Sequence, residues 1–515
     1  MQRVLCRSGS GSALSGVSKL CLVLSSSVRR RDLTLRVFHP SLSFQDTFDY
    51  MATTLEAVVE DSVHCCAPSM IGHMTTSLPF YMRPLSKMVT TLHANNVKIE
   101  TGKASTFLEK EAIAMLHRQM YGLPDAFYAE AAPNPQVTLG VVCSGGTIAN
   151  NTALWIARNR CLPAKGDFTG TDKQGMLKGL KAHGYEGAVI IGSEVMHYSM
   201  KKSADILGIG VEGLLTIPFN DEYQVNIELM TAAVADCKAK NIAVLALVGV
   251  AGGTETGSID DLDAIAKLAE ANGLHFHVDA AWGGPVIFSN THKKFMFGIE
   301  RADTITLDGH KQLYTPMGCG LCFLRDPSQI SAVEKTANYI IRKDSYDLGK
   351  FTMEGSRPAV SMFLHANLEI MGTSGYGALV DKSIRLVQHM VQHFTATGQF
   401  EQVLSPMTNI LLYRYVPKKF RREGSVLGQA SADMYQTAPL LSAEDNEEIS
   451  AMNVLMQNAQ KAKGDTFVSR TTILSPRQQQ RVVALRVVIA NPLTTEADVN
   501  ATIADQLAIL SSIDM

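Results

Sequence analysis

Three short stretches of the sequence place reactive residue types at the ends of predicted strands. VVCSGGTIANN (141–151) predicts a strand, a glycine turn and a helix start, where free N–H groups and the helix dipole can bind an anion. In HFHVDAAWGG (275–284), Asp279 ends an apolar strand, and a buried carboxylate needs a cation or a hydrogen-bond donor beside it. In TLDGHKQLYTPMGCG (306–320), Lys311 follows another predicted strand. The spacing allows an anion site, a carboxylate and an amine to meet in one crevice.

Taken singly, each signal has an ordinary structural explanation. A lysine after a short strand is usually solvated, Gly145 and Gly146 suit a tight turn, and Asp279 suits a turn or a helix cap. Together they match the needs of pyridoxal phosphate (PLP), whose phosphate binds N–H donors, whose ring nitrogen pairs with a carboxylate and whose aldehyde reacts with an amine. The combination predicts a PLP enzyme.

Composition excludes several other classes of function. The chain has 515 residues, of which 46% are hydrophobic and 19% are charged, as in ordinary globular proteins. A formal net charge of −2 offers no basic field for a nucleic-acid backbone. The chain contains no run of 18 apolar residues, so we expect neither a membrane span nor a nucleic-acid partner.

The cysteines favour a reducing compartment and no metal site. Nine cysteines are scattered without a regular framework, which is typical of free thiols. Cys319 and Cys322 form a CxxC motif, but it lacks the second pair that a zinc site needs and lies in an apolar, strand-like run.

The first 31 residues allow two interpretations of localisation. They are rich in Arg and Ser and contain no acidic residue, which is the composition of a mitochondrial transit peptide. The alternative is a disordered leader on a cytoplasmic protein. We expect the cytoplasm, with the mitochondrial matrix as the alternative if 1–31 is a transit peptide.

Alternating apolar runs and helical segments predict the fold class. Seven runs typical of buried strands follow residue 137: VTLGVVC, GAVIIGS, GLLTIPF, IAVLALVGVAG, LHFHVDAAW, DTITL and GLCFLRD. Because helical segments such as IDDLDAIAKLAEANG separate them, we expect an α/β fold with a mostly parallel sheet flanked by helices. Functional residues then belong at the strand ends and in the loops beyond them.

Patterns in the rest of the sequence complete a division of the whole chain into four expected segments. TFLEKEAIAMLHRQMYGLP has helical spacing and ends at Gly122. NILLYRYV and VVALRVVIANP read as two strands of a smaller C-terminal α+β domain, in which PKKFRREG and SAEDNEEIS are expected to be exposed loops. The expected segments are a leader (1–45), an N-terminal helical segment (46–95), a large PLP-binding domain (96–375) and a small C-terminal domain (376–515).

The ordered motifs HVDAAWGG, LDGHKQ and ANYIIR resemble the group II PLP-dependent amino acid decarboxylases, the glutamate decarboxylase-like family of fold type I. The resemblance runs from about Asp46 to the C-terminus. PSMIGHMTTSLPF, LDGHKQLYTPMGCG and RVVIANPLTTE are most similar to the bacterial pyridoxal-dependent aspartate 1-decarboxylases. The resemblance implies the PLP-dependent transferase fold and a homodimer with its active sites at the subunit interface.

The resemblance also implies a role for each residue around the cofactor. Lys311 is expected to bind the PLP aldehyde covalently, Asp279 to pair with the ring nitrogen, His197 to stack on one ring face and Ala281 to pack on the other. The remaining implied cofactor contacts are Gly145, Gly146 and Thr147 around the phosphate, Asp308 and His310 beside it, and Thr254 on the loop VAGGTETG.

Further matched positions concern the substrate and the proton. Tyr339 matches the family's mobile-loop tyrosine, which protonates Cα after CO2 leaves and reaches the partner subunit's site; Tyr346 is the weaker candidate. Arg486 matches a position that pairs with a substrate carboxylate, for which a planar guanidinium is suited. His73 and Thr75 match positions that line the distal pocket.

The expected reaction is decarboxylation of an acidic amino acid by a carboxy-lyase. L-Aspartate to β-alanine is the first expectation, L-glutamate to GABA the second, and cysteine sulfinate to hypotaurine the third. Gly253 stands where the family commonly has Thr, and Asp308-Gly309 replaces the commoner Asn-Pro, which bears on substrate preference more than on chemistry. The alternative class is another fold type I PLP enzyme such as an aminotransferase; a regulatory pseudoenzyme would require a broken cofactor site.

Overall fold

The computed structural model describes residues 44–54, 58–59, 62–337, 341–342, 344–421 and 438–513. Residues 1–43 of the predicted leader lie outside the described residues. The predicted transit peptide (1–31) therefore lies outside them as well. No helix within the described ranges is long and apolar enough to cross a membrane.

Eleven strands and a series of helices make up the described chain. The strands are β1 (Gly140–Cys143), β2 (Gly187–Ser193), β3 (Leu214–Ile217), β4 (Ile242–Val250), β5 (Phe276–Asp279), β6 (Thr304–Asp308), β7 (Gly320–Leu324), β8 (Phe400–Leu404), β9 (Ile410–Tyr415), β10 (Ser469–Ser475) and β11 (Gln480–Val488). The α-helices are α1 (Phe44–Asp49), α2 (Met82–Leu92), α3 (Ile99–Gly102), α4 (Ala104–Tyr121), α5 (Asp125–Ala131), α6 (Gly146–Cys161), α7 (Thr171–Gln174), α8 (Met176–His183), α9 (Ser199–Ile206), α10 (Ile227–Ala239), α11 (Leu262–Asn272), α12 (Ser361–Thr397), α13 (Ala443–Lys463) and α14 (Glu496–Ile513). A π-helix spans Tyr50–Thr54, and 3-10 helices span Val211–Gly213, Gly284–Phe288, Lys293–Met296, Ile299–Arg301, Pro327–Ala332, Leu348–Lys350 and Lys418–Phe420.

The large sheet confirms the predicted α/β class. Its seven strands lie in the order β1-β7-β6-β5-β4-β2-β3. The pairs from β3 to β6 are parallel, whereas β7 is antiparallel to both β6 and β1. Each of the seven predicted apolar runs overlaps one of these strands. Because helices cover the sheet on both faces, strands such as β4 are buried along nearly their whole length.

Helices between the strands begin and end where their capping residues predict. At the start of α11, the Asp261 side chain accepts a hydrogen bond from the Ala264 N–H, and Gly273 ends the helix in the left-handed conformation with φ +63°. Gly122 ends α4 in the same way, with φ +59°. The α11 crossover carries the chain from β4 to the adjacent parallel strand β5.

The second sheet is larger than the sequence predicts. Four antiparallel strands lie in the order β10-β11-β9-β8, whereas the sequence predicts two. The missed strands β8 and β10 mix polar and apolar residues and are only partly buried, so they lack the continuous apolar run that marks β9 and β11.

One predicted loop is helical. SAEDNEEIS begins α13, with the Ser442 side chain capping the helix at the N–H of Asp445. The expectation of a loop was wrong because Asn446 and Asn453, which are polar, occupy inward positions of this helix and hide its apolar face. In PKKFRREG, Lys418–Phe420 forms a 3-10 turn.

The proposed division of the chain at 375/376 falls within α12. The helical backbone is interrupted close to this point, since Gly372 has φ +59°. The three boundaries between the four predicted segments therefore remain predictions.

The sheet brings three chain segments to one edge. Asp279 at the end of β5 pairs with Val250 on one side and Thr306 on the other. Asp308, the last residue of β6, pairs with Gly320, which in turn pairs with Cys143 at the end of β1. The predicted anion loop, carboxylate and lysine therefore converge at the carboxyl edge of the parallel strands.

Candidate active site

A cavity of about 330 Å³ lies at this edge of the large sheet. All ten residues implied as cofactor contacts line it: Gly145, Gly146, Thr147, His197, Thr254, Asp279, Ala281, Asp308, His310 and Lys311. Asn150 and Trp282, which the sequence analysis did not single out, line it as well.

The start of α6 forms a cradle with no room for larger side chains. A Cβ on Gly146 would lie 2.9 Å from Asp308 Oδ2, and a Cβ on Gly320 would lie 2.5 Å from the carbonyl carbon of Gly145. The helix has no side-chain cap, so its first N–H groups, which have no acceptor within a helix, remain available to a ligand. This cradle fits an anionic group such as a phosphate.

Lys311 is held at the cavity by a carboxylate. Its Nζ lies 2.9 Å from Asp308 Oδ2, and Asp308 is 3% exposed. His310 donates from Nδ1 to the carbonyl of Cys319 at 2.9 Å, which leaves Nε2 on the cavity side, 3.7 Å from Asp308 Oδ2. The amine is thus positioned for covalent chemistry on a rigid strand end.

Asp279 is a buried carboxylate with two hydrogen-bond donors. Its Oδ2 accepts from Asn150 Nδ2 at 2.9 Å, and its Oδ1 accepts from the N–H of Ala281 at 3.2 Å. The described residues provide no cation within ion-pair distance of it. A ring nitrogen that carries a proton would supply the missing positive partner.

His197 is oriented by the residue that starts α9. Its Nδ1 accepts from the Ser199 N–H at 3.2 Å and lies 2.9 Å from the Ser199 hydroxyl. Burial lowers the pKa of His197, so the ring is neutral near pH 7 with its proton on Nε2. A neutral imidazole suits stacking against an aromatic ring.

Comparison with known proteins decides the family. Residues 40–416 match the pyridoxal-dependent decarboxylase conserved domain. The chain belongs to the pyridoxal-dependent decarboxylase family. It is a PLP-dependent carboxy-lyase, not the aminotransferase considered as an alternative.

Relatives and solved structures agree with this assignment. The decarboxylase is 43% identical to the aspartate 1-decarboxylase of Aliivibrio fischeri over 89% of this chain and 82% of the relative. It is 26% identical to the cysteine sulfinic acid decarboxylase of Mus musculus over 70% of this chain and 68% of the relative. The crystal structure of mouse CSAD shares its fold, with a TM-score of 0.76, 22% identity and coverage of 92% of this chain and 90% of that chain.

Strand β11 places a buried cation, Arg486, against the loop that follows β4; Thr254 of this loop lines the decarboxylase cavity, but Arg486 does not. Arg486 of β11 donates from Nε and Nη2 to the carbonyl of Thr254, at 3.0 and 2.5 Å. The turn needs glycine, since Gly252 has φ +88° and a Cβ there would lie 2.6 Å from the N of Gly283. Burial lowers the pKa of Arg486 to about 10, which leaves it charged at neutral pH.

Besides Arg486, four matched positions lie away from the cavity or outside the described residues. His73 packs its ring on Phe467, with centroids 5.2 Å apart, and neither His73 nor Thr75 lines the cavity. Tyr339 lies outside the described residues. Tyr346 donates from its hydroxyl to the carbonyl of Pro133 at 2.9 Å and does not line the cavity either.

Asn150 is the main site residue that sequence reasoning missed. It lies one turn into α6, 1% exposed, and its amide contacts Asp279, His277 and Ser199. The available signal was the pair of asparagines in TIANNTAL, since two polar residues on the inner turn of a buried helix require polar partners.

The CxxC motif is structural. Cys322 lies in β7 and Cys319 just before it, both fully buried, and burial raises the pKa of each thiol to about 12. Thiols of such high pKa carry almost no thiolate, which is the form that binds metals and attacks electrophiles.

We therefore expect Cys319 and Cys322 to resist alkylation in the folded decarboxylase. At about pH 8 their thiolate fraction is about one in ten thousand, from the pKa of about 12. Iodoacetamide labelling followed by peptide mapping should modify the exposed Cys66 and spare this pair until the protein is unfolded. Labelling of the pair at the rate of Cys66 would contradict a purely structural role.

Proposed function

We propose that this decarboxylase removes the α-carboxylate of an acidic amino acid, with L-aspartate to β-alanine and CO2 as its first reaction. One observation carries the acidic preference: Arg486 is 8% exposed and meets carbonyls and a hydroxyl, but no carboxylate within ion-pair distance in the described chain. The relative of 43% identity, an aspartate 1-decarboxylase, supports the choice of substrate.

A buried guanidinium without an anion is costly. Its two neighbouring carbonyls, Thr254 and Gly72, and the Ser469 hydroxyl partly solvate the charge but do not neutralise it. The negative charge of Glu255 favours the charged guanidinium but forms no ion pair with it in the described chain. A substrate carboxylate arriving beside Thr254 would supply the counter-charge in a planar, bidentate geometry. We infer that Arg486 pairs with a substrate carboxylate.

His73 is the proposed distal-pocket donor. Burial lowers its pKa, and the nearby positive charges of Arg486 and Lys461 lower it further. The imidazole is therefore neutral near pH 7 and offers one N–H. Thr75, two residues on, would add a hydroxyl to the same pocket.

Aspartate, glutamate and cysteine sulfinate all present a second acidic group to such a pocket. Aspartate and glutamate differ by one methylene, which provides only about 1 to 3 kcal/mol of discrimination. Glutamate to GABA is therefore the second candidate, and cysteine sulfinate to hypotaurine is the third.

The chain's own residues supply binding, orientation and the proton. When bound, PLP supplies a conjugated ring that accepts the electron pair of the breaking bond. We propose that Lys311 binds the cofactor aldehyde, that Asp279 holds the ring nitrogen in its protonated form and that His197 and Ala281 cover the two ring faces. The orientation in which the chain's residues hold the substrate's α-carboxylate would decide which bond breaks.

Tyr339 is the proposed proton donor to Cα. Once CO2 has left, one proton must take the place of the carboxylate on Cα. A positioned tyrosine hydroxyl can deliver it as a general acid and recover its own proton from solvent. The proposal is based on the position of Tyr339 within the ANYIIR motif.

We further propose a homodimer in which Tyr339 completes the partner subunit's site. Large hydrophobic side chains near the cavity are exposed in the single chain: Tyr198 beside His197 is 60% exposed, and Met317 in the loop after Lys311 is 66% exposed. A second subunit would cover such residues.

A reducing compartment is proposed for the protein. The described cysteines are all free, and Cys65 and Cys66 are at least partly exposed. The cytoplasm fits this best, and the mitochondrial matrix is the alternative if residues 1–31 act as a transit peptide.

The substrate proposal is tested by offering PLP-loaded protein L-aspartate, L-glutamate and cysteine sulfinate separately. We expect CO2 release with the highest kcat/KM for aspartate. Its product, identified by mass spectrometry, should be β-alanine. A higher kcat/KM for either other acid would overturn the choice of aspartate. No CO2 from any acidic amino acid would overturn the proposed function.

The role of Tyr339 is tested by comparing Tyr339→Phe with Tyr346→Phe. Loss of the general acid is expected to lower formation of the amine product by roughly 10²- to 10⁴-fold in Tyr339→Phe, with transamination by-products in its place, because CO2 leaves before Cα is protonated. Tyr346→Phe is the matched control, because it removes only a hydrogen bond to the Pro133 carbonyl, away from the cavity. Equal rates for the two variants would contradict the assignment.

Hybrid dimers test whether Tyr339 acts across the interface. Lys311→Ala and Tyr339→Phe subunits are each expected to be inactive alone. If Tyr339 serves the partner's site, each hybrid dimer contains one intact site, so random mixing should restore about one quarter of wild-type activity. Hybrids that stay inactive would show that the tyrosine acts within its own subunit or that the chain is monomeric.

A further inference from the structure

A continuous chain of buried polar side chains runs from the cofactor cavity along one face of the large sheet, beneath α6, to the opposite ends of β5 and β6. It passes from Asp279 through Asn150, His277, Thr304 and His275. Their exposed fractions are 6%, 1%, 0%, 0% and 8%, in that order. Four of the five are at or near the ends of β5 and β6, and Asn150 packs onto them from α6. The last member, His275, meets Arg160, which is partly exposed.

The outer end of the chain fixes the direction of its hydrogen bonds. A guanidinium can only donate, so Arg160 Nη1 donates to His275 Nδ1 at 3.1 Å. The proton of neutral His275 is then on Nε2, which donates to the Thr304 Oγ1 at 2.8 Å. Thr304 therefore directs its own hydroxyl proton to His277 Nδ1, at 3.0 Å.

The inner end of the chain requires the same direction. With Nδ1 accepting, His277 donates from Nε2 to Asn150 Oδ1 at 3.0 Å, and Asn150 Nδ2 donates to Asp279 Oδ2 at 2.9 Å. An ionised carboxylate can only accept, which agrees with this order. Burial lowers the pKa of His275 to about 3 and that of His277 to about 4, so both rings are neutral, as the bonding pattern requires.

A branch of the chain reaches His197. The second N–H of the Asn150 amide points to the Ser199 Oγ at 3.0 Å. With its oxygen accepting there, Ser199 donates to His197 Nδ1 at 2.9 Å. One amide orientation therefore sets both the donor to Asp279 and the tautomer of the ring-stacking histidine.

We propose that Asn150, His277, Thr304 and His275 are positioning residues, which form a one-way hydrogen-bond chain that keeps Asp279 an ionised acceptor for the PLP ring nitrogen. The inference rests on the proposed role of Asp279 toward PLP. None of His277, Thr304 and His275 lines the cavity, so each acts through its neighbour.

Removing the hydrogen bonds of Thr304, in the middle of the hydrogen-bond chain, should change the hydrogen bonding of Asp279. A valine at position 304 offers no proton to His277 Nδ1 and no acceptor to His275. His277 is then free to carry its proton on Nδ1, which turns Nε2 into an acceptor. Asn150 would have to turn its N–H toward His277 and its oxygen toward Asp279, and the carboxylate would lose a donor.

Strand β6 offers a matched set of variants, at Thr304 and Thr306. Thr304→Val removes the hydroxyl, and Thr304→Ser keeps it. Thr306→Val makes the same change two residues along β6, at a hydroxyl that is buried and has no hydrogen-bond partner among the described residues. The three changes therefore separate the hydrogen-bond chain from the general effect of a buried Thr→Val substitution.

We would measure PLP affinity of the apo forms and the absorbance spectrum of the bound cofactor, alongside CO2 release. Thr304→Val should bind PLP about tenfold more weakly and shift the spectrum, as expected for the loss of a hydrogen bond to a charged group. Thr304→Ser and Thr306→Val should stay within about twofold of wild type.

The outcomes separate this inference from the proposed function. If wild type binds PLP and releases CO2 but Thr304→Val matches Thr306→Val in affinity and spectrum, the chain has no positioning role and the decarboxylase assignment stands. If wild type does not bind PLP, both proposals fail.

A second measurement covers the case in which Thr304→Val does not fold. Histidine-selective ¹⁵N NMR of the wild-type holoenzyme, with signals assigned by conservative variants, reports which ring nitrogen carries the proton. We expect His275 and His277 both to be protonated at Nε2 alone. A proton at Nδ1 of His277 would reverse a link and overturn the proposal.

Discussion

The buried negative charge of Asp279 is the constraint on which the rest of the site depends. A carboxylate that is 6% exposed would cost several kcal/mol without compensation. Asn150 and the Ala281 N–H supply hydrogen bonds but no positive charge. A protonated ring nitrogen would supply it, and we propose that the PLP cofactor of the family is the partner that this carboxylate lacks.

A second buried charge of opposite sign lies behind the cavity wall. Arg486 has neutral partners within the described chain, as Asp279 has. Arg486 itself does not line the cavity, but Thr254, whose carbonyl it binds, does. We propose that a protonated cofactor ring pairs with Asp279 and that a substrate carboxylate pairs with Arg486. Lys311, by contrast, already has a carboxylate partner in Asp308, which holds the amine in place before any ligand binds.

Much of this arrangement could be predicted from the sequence. The apolar runs predict the strands of the large sheet because parallel strands buried on both faces need continuous apolar residues, and the residues that follow Cys143, Val278 and Leu307 mark the strand ends where the site lies. The motifs predict that Lys311 and Asp279 meet in one cavity, as they do, and their roles toward the cofactor remain predictions.

Other features could not be predicted from the sequence, because local patterns do not show which residues become neighbours in the folded protein. About half of the residues in β8 and β10 are polar, so these strands lack a continuous apolar run. The polar residues Asn446 and Asn453 lie on the buried face of α13 and interrupt its apolar pattern. Asn150, His277 and Thr304 are far apart in sequence, and their hydrogen bonds exist only once α6 packs on β5 and β6. The sequence analysis assigned no role to His275 or His277, although both ring nitrogens of each histidine form hydrogen bonds in the fold.

Covalent attachment of PLP at Lys311 is the claim on which the proposed chemistry depends most. Borohydride reduction of the holoenzyme followed by peptide mapping tests this directly, because reduction makes the lysine–cofactor bond permanent. We predict a single phosphopyridoxyl label on the peptide that contains LDGHKQ, at Lys311. A label on another lysine, or no label on protein saturated with PLP, would contradict it.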